Sequence, residues 1–297
     1  MLTAAPTRSR AAAFVALTKP RIIELLLVST VPAMIVAQDG LPPLWLIVAT
    51  VAGGTLSAGG ANALNMYIDR DIDAEMDRTA NRPLVTGEIQ PGEALWFAIG
   101  IEAVAVIFLA VVVNPLSAAL ALAACLFYVF VYTIWLKRTS KQNIVIGGAA
   151  GAAPALIGWA AVTNSLGWAP WIMFAIVFLW TPPHFWALAI RYRDDYASAS
   201  VPMLPSVVGH WKTTQQIVIY SILVFIATMV LWPVAGLGWI YGVSAIVIGI
   251  WFVYGAVDLL QETDPTLIDK KAIRYFAFSI THLTVVFGAM AIDRLVL

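Results

Sequence analysis

Asn65, Asp69 and Asp73 stand four residues apart in the stretch NALNMYIDRDIDAEMDRTANRPLVTG. On a helix each such step drifts by only about 40°, so the three side chains line one stripe, and Asp77 continues it. Neighbouring carboxylates on the stripe repel by about a few tenths of a kcal/mol per pair, which a hard cation would offset. Mg2+ suits these donors, because it takes oxygen ligands, keeps several waters and bridges one or two carboxylates to substrate phosphates. A second loop repeats the pattern in part: Asp73, Pro83 and Gly87 recur as Asp195, Pro205 and Gly209, each at an offset of 122 residues. At that offset Asp69 becomes Arg191 and Asn65 becomes Ala187, so the second loop has fewer carboxylates and gains a cation. Asp194 is available there as an additional ligand.

Between the two acidic loops lies YTIWLKRTSKQNIVIGGAAGAAP, in which Tyr132, Lys137, Arg138, Lys141 and Asn143 cluster at one helix end. Ammonium and guanidinium groups placed there can hold phosphate oxygens. Taken singly, each motif also reads as an ordinary solvated helix end. Two acidic loops flanking a basic cluster make a metal–diphosphate clamp the better explanation. Downstream, Gly147, Gly148, Gly151 and Gly158 thin the helix, permitting close helix approach or an apolar groove. A lipid-derived diphosphate fits such a site, its head on Mg2+ and cations and its chain among the helices.

The elements that position these groups follow from composition. The 297 residues are 61% hydrophobic and 11% charged, whereas about a quarter of a soluble chain is charged. Apolar runs of spanning length fall near residues 22–38, 43–66, 93–113, 115–135, 144–163, 168–190, 214–235, 237–260 and 273–293. The expected fold class is therefore all-α, a polytopic membrane protein of nine transmembrane helices. Asn114-Pro115, Asn164-Ser165 and Gly236-Leu237-Gly238 predict tight hairpins. The expected organisation is a cytoplasmic leader over 1–21 and one transmembrane domain over 22–297, with active-site loops at about 69–92 and 191–213.

Sixteen of the seventeen basic residues fall in alternate connections, leaving Arg294 as the exception. The positive-inside rule places the N-terminus and both acidic loops in the cytoplasm and the C-terminus on the opposite face. The 17 basic and 17 acidic residues balance, which gives no reason to expect a nucleic-acid partner. The single cysteine, Cys125, excludes an internal disulfide and a cysteine framework for zinc. A transporter is the alternative class, but transporter sites lie near mid-membrane, and these carboxylates sit at helix ends.

Asn65-x-x-x-Asp69-x-x-x-Asp73 followed by RTANRPLVTG resembles the first aspartate motif of the UbiA superfamily of intramembrane prenyltransferases. LTKPRIIELLLVST, LKRTSKQNIVIGGAAGAAPALIGW and WTPPHFWALAIRYRDDYASASVPMLP resemble the branch of that superfamily that farnesylates heme. The resemblance implies a nine-helix ring around a central cavity in the inner (plasma) membrane. It implies farnesyl diphosphate and heme B as substrates, heme O and diphosphate as products, and handover to a heme-modifying or terminal-oxidase assembly protein. It assigns Asn65, Asp69, Asp73 and Asp195 to Mg2+ and the diphosphate, with Arg78, Arg82, Lys137 and Arg138 as electrostatic partners. Arg191 departs from the acidic residue other members carry there. A relative that prenylates another aromatic ring is the nearest alternative.

His184 follows Pro182-Pro183 within a spanning run, where the prolines free backbone carbonyls. A histidine inside the membrane is a functional candidate by default. Trp180, Phe185 and Trp186 offer flat surfaces around it, so His184 is expected to contact the porphyrin.

Overall fold

The computed structural model describes residues 8–297, apart from the side chains of residues 21–27 and 265. The first seven residues of the expected leader, and the side chain of Arg21, lie outside the described residues. Every element described is helical. Eight helices are long and apolar enough to cross a membrane: α3 (Leu44–Ile68), α5 (Pro91–Val113), α6 (Pro115–Thr139), α7 (Asn143–Thr163), α8 (Trp168–Arg191), α10 (Leu204–Val234), α11 (Trp239–Gln261) and α12 (Pro265–Val296). A further apolar helix, α2 (Pro20–Gln38), occupies the first expected span. Three short helices lie on the face that carries the loops: α1 (Arg10–Leu17), α4 (Arg70–Asp73) and α9 (Arg193–Ser198).

The hairpins form where turn residues interrupt the apolar runs. Asn114 caps α6 by accepting from Ser117 N at 2.8 Å, while its amide donates to the Ala160 carbonyl of α7 at 2.8 Å. Asn164 ends α7 in the left-handed region, and Gly236 does the same between α10 and α11. Two elements depart from their expected starts. Helix α10 begins at Leu204, ten residues early, because a break at Gly209 (φ 79°) joins a short loop helix to the span. Helix α12 begins at Pro265, where Asp264 accepts from Thr266 N, so its first turns stand outside the apolar run.

Helices adjacent in sequence pack side by side, and α12 packs on α2 to close a ring, with α7 and α8 the most enclosed members. The closure is polar at the face opposite the loops. Asp293 accepts from Gly238 N and Tyr241 N at the start of α11, and Arg294 meets Asp39 at 3.0 Å. Exposed tryptophans mark both rims: Trp45, Trp168 and Trp239 at that face, Trp96, Trp135 and Trp211 at the loop face, as expected of interfacial anchors. Small residues on α7 set the spacing. A Cβ on Gly158 would stand 2.4 Å from the Thr30 carbonyl oxygen of α2, and one on Gly147 would stand 2.2 Å from the Tyr132 ring. The carboxylates inside spans have partners: Glu102 accepts from Ser57 Oγ at 3.0 Å, and Asp258 pairs with Lys271 at 2.8 Å.

Candidate active site

Helix α3 delivers the first motif to the loop face. Its regular turns end at Ile68, Asp69 breaks the geometry, and α4 carries the chain on to Asp73. Asn65, Asp69 and Asp73 all face inward and are buried, Asp69 and Asp73 completely. The stripe stops there. Thr79 Oγ1 donates to the Asp73 carbonyl at 2.7 Å and winds the chain into turns, so Asp77 leaves the stripe and is exposed.

Each buried carboxylate is held by a cation from another element. Lys137, at the end of α6, pairs with Asp69 Oδ2, and Arg82 pairs with Asp73 Oδ2. The Asn65 amide nitrogen donates to Asp69 Oδ2 at 2.7 Å and to Thr133 Oγ1 at 3.0 Å. Thr133 belongs to a π-helical stretch, Phe127–Leu136, in which its hydroxyl donates to the Tyr128 carbonyl at 2.9 Å. Tyr128 and Tyr132 from that stretch stack at 5.3 Å. Arg138 grips Asp71 through two bonds of 2.6 and 2.7 Å on the outer side of α4. That bond holds the Asp71 carboxyl down to about 2 against the opposing effect of partial burial.

Lys137 and Arg82, with Lys19, Arg78, Tyr128 and Tyr132, line the mouth of a cavity of about 340 Å³ that continues along Gly54, Ala58 and Ala61 of α3 and Gly147 and Gly151 of α7, while Asn65, Asp69 and Asp73 stand behind those cations, off the lining. Along α3 the lining runs from Thr50 to Asn62, twelve residues or about 18 Å, and it continues past Asn62 to Arg82 and Lys137 at the loop face.

The second loop takes a different place. Asp194 and Asp195, on α9, line a separate depression with Asp77, Arg191 and Tyr192, and Arg78 borders both hollows. Arg191 and Arg193 reach Asp269 of α12 at 3.5 and 2.8 Å. The five residues expected to form one metal-binding set thus fall into a buried group of three and a more exposed group of two. The matched glycines of the two loops, Gly87 and Gly209, both have positive φ, 77° and 79°. Asn143 is fully buried, lies off the cavity lining, and neither atom of its amide has a partner among the described residues.

His184 stands behind the cavity wall. It is 5% exposed and stacks between Trp180 (4.2 Å) and Phe276 (4.4 Å), with Nδ1 2.6 Å from Ser279 Oγ. Trp180, Thr181 and Phe185 line the cavity around it, and His184 does not. Helix α8 continues through Pro182 and Pro183, and His184 faces Phe276 and Ser279 of α12, whereas the expected porphyrin contact would require it to reach the cavity.

Lys19 is the residue at the mouth that sequence reasoning missed. Its Nζ donates to Asn65 Oδ1 at 2.8 Å. Burial, reinforced by repulsion from Arg82 and Lys137, pulls its pKa down to about 7. The available signal was the Lys19-Pro20 pair, a cation placed just before a helix start.

The donor set fits Mg2+. Oδ1 of Asp69 and Oδ1 of Asp73 are both buried without a hydrogen-bond partner among the described residues. Each carboxylate thus has one hard oxygen without a hydrogen bond while its other oxygen is tied to Lys137 or Arg82, and Arg138 stands 3.7 Å from the open oxygen of Asp69.

Fold and site together define a polytopic membrane protein with a cationic, carboxylate-backed mouth for a phosphorylated head group and an interior for an apolar chain. A model of the UbiA prenyltransferase family matches residues 26–280, and the chain belongs to that family. It is 56% identical over 286 residues to the protoheme IX farnesyltransferase of Clavibacter sepedonicus, covering 95% of this chain and 92% of that one. Among solved structures it is similar to a digeranylgeranylglyceryl phosphate synthase, with a TM-score of 0.79 at 16% identity over 97% of this chain and 99% of that one. It is also similar to a UbiA homolog from Archaeoglobus fulgidus bound to GPP and Mg2+, with a TM-score of 0.61 at 18% identity over 93% and 99% of the two chains. These two likenesses establish the fold.

Proposed function

We propose that this chain transfers the farnesyl group of farnesyl diphosphate to a vinyl group of heme B, giving heme O and diphosphate. One juxtaposition carries the reading. Lys19, Arg78, Arg82 and Lys137 line the mouth of a cavity deep enough for a prenyl chain, and the buried carboxylates of Asp69 and Asp73 stand directly behind Lys137 and Arg82, paired with them. The heme acceptor is supported by the name of the Clavibacter relative.

Asp69 and Asp73, with Asn65, are the groups that would hold Mg2+, with Asp194 and Asp195, in the depression that shares Arg78 with the cavity, as the further ligands. Mg2+ when bound supplies a Lewis acid that neutralises charge on the departing diphosphate. Lys137, Arg82 and Arg78 orient the diphosphate and stabilise negative charge as the carbon–oxygen bond breaks and its electron pair leaves with oxygen. Arg138 steadies the clamp from outside through Asp71 and Asp69, and the buried Asn143 amide, without a partner among the described residues, is available to a bound group. Tyr128 and Tyr132 exclude water from the allylic cation and offer it their ring faces. The terminal vinyl carbon donates its π pair to the farnesyl carbon. Water then adds to the carbon beside the porphyrin ring and loses a proton.

Purified protein incubated with heme B, farnesyl diphosphate and Mg2+ should yield a porphyrin heavier by one farnesyl and one hydroxyl group in mass analysis. Recovery of unchanged heme from folded protein would overturn the reading. A different acceptor ring would appear as transfer to that ring instead.

The charge distribution supports a place in the inner (plasma) membrane with the leader, the loops 69–92 and 191–213 and the mouth in the cytoplasm, and with Arg294 outside. Reporters fused after residues 78, 139 and 205 should read cytoplasm and one at the C-terminus the opposite face; a cytoplasmic C-terminus would break the nine-span arrangement. Heme O is too apolar to diffuse freely, so the product is handed to a heme-modifying or terminal-oxidase assembly protein.

A further inference from the structure

We propose that Lys19 is a binding residue for the diphosphate of the prenyl donor, and that α1 is the strap that holds it across the mouth. The inference rests on the prenyl-diphosphate reading above. Lys19 has φ 52° and ψ 62° and precedes Pro20. A lysine seldom adopts that left-handed conformation, and the residue before a proline is further restricted, so surrounding structure must impose it.

That structure is on both sides of the residue. Ser9 caps α1 through Ala12 N at 3.3 Å, and Ala13 and Leu17 are fully buried beside Ala63 of α3 and Ala94 and Ala98 of α5. Phe14 packs on Phe97 with ring centroids 4.9 Å apart. Arg8 donates to the Asn81 carbonyl at 3.1 Å and meets Glu88 at 3.3 Å, while Arg10 pairs with Glu93. The Asn62 amide donates to the Thr18 carbonyl at 3.1 Å, and three residues along the same helix Asn65 accepts from Lys19. An exposed, short leader helix would not need so many separate fastenings unless its end had to be placed accurately.

The charge balance at the mouth gives that placement a purpose. Lys137 and Arg82 are each matched by a buried aspartate. Lys19, by contrast, meets a neutral amide, and Arg78 meets the Tyr196 hydroxyl at 3.4 Å and the Tyr192 and Tyr196 rings. Among the described residues, two cations therefore face the cavity mouth without a carboxylate of their own. Lys19 is part-buried and Arg78 exposed; a part-buried ammonium without a hydrogen-bonded counter-charge is costly, and an entering diphosphate supplies the missing anion to both.

The test measures the binding of farnesyl diphosphate, farnesol and heme B to the purified full-length chain with Mg2+ present. Lys19→Gln should weaken farnesyl diphosphate by about ten- to a hundredfold, the loss of one charge-assisted hydrogen bond, and leave farnesol and heme B unchanged. Lys19→Arg should restore most of the affinity. Phe14→Ala, which loosens the strap without touching the mouth, should reproduce the selective loss more weakly. Unchanged binding of farnesyl diphosphate to Lys19→Gln would overturn the inference, and so would an equal loss of all three ligands, which would mark Lys19 as a packing residue. Failure of the unsubstituted protein to bind farnesyl diphosphate would instead remove the underlying reading.

Discussion

Asp73→Asn should lower turnover by on the order of a hundredfold or more, the usual scale for removing a group that stabilises charge in the transition state. Asp71→Asn, two residues earlier, should stay within a few-fold of the unsubstituted protein. The two positions differ in what they touch. Asp73 is fully buried behind Arg82, which lines the cavity, with one oxygen on Arg82 and the other without a hydrogen-bond partner among the described residues. The amide would keep the size but lose the charge that balances Arg82 and that a metal ion requires. The Asp71 side chain is 60% exposed and bound to Arg138 on the far side of α4, where an ion pair contributes about 0–1 kcal/mol. Turnover of both variants with farnesyl diphosphate, measured at saturating Mg2+, checks the difference. Equal losses would mean that burial and facing do not distinguish the motif's aspartates.

The second large effect is expected at His184. Removing its ring takes one layer from the stack Trp180–His184–Phe276 and leaves the Ser279 hydroxyl only its bond to the Phe276 carbonyl. His184→Ala should cost about 2–4 kcal/mol of stability and weaken both substrates together, because Trp180, which donates to the Ser279 carbonyl at 2.9 Å, forms cavity wall. His184→Phe keeps the stack and should recover most of the stability and binding of both ligands. Titrating each ligand against both variants, with the heme absorbance band recorded, checks this. Loss of heme B alone in His184→Phe, with its melting temperature preserved, would restore the direct porphyrin contact that the sequence suggested.

The first motif illustrates how far spacing could be read. The i, i+4, i+8 pattern placed Asn65, Asp69 and Asp73 on one face, and the structure gathers those three, buried, behind the cations of the mouth. The same pattern extended to Asp77 failed, because a helical period holds only while the helix lasts, and α4 ends at Asp73, whose carbonyl accepts from Thr79 Oγ1. The repeat at 122 residues was legible in both its glycines, whose positive φ values are nearly equal. The loops around them nevertheless differ, since Asp73 is buried beside Arg82 whereas Asp195 stands in the more open depression beside Arg191.

What the sequence determined by itself was the membrane, the helices and the side on which the chemistry lies. Apolar length, turn residues and the bias of Lys and Arg are local properties, and in a bilayer every backbone group must be satisfied within its own helix, which makes spans nearly autonomous. Only the tertiary structure decided which cation meets which carboxylate. Lys137 lies 68 residues from Asp69, and Lys19 lies 46 residues from Asn65; no periodicity in one helix encodes either pair. Likewise Glu102 gave no hint of Ser57, nor His184 of Ser279 and Phe276. Those partners are chosen by how helices with small residues such as Gly147 and Gly158 approach one another and by how α12 closes the ring on α2. The physical reason is that side-chain contact across helices depends on rotation and depth of each span, which packing fixes only when all neighbours are in place.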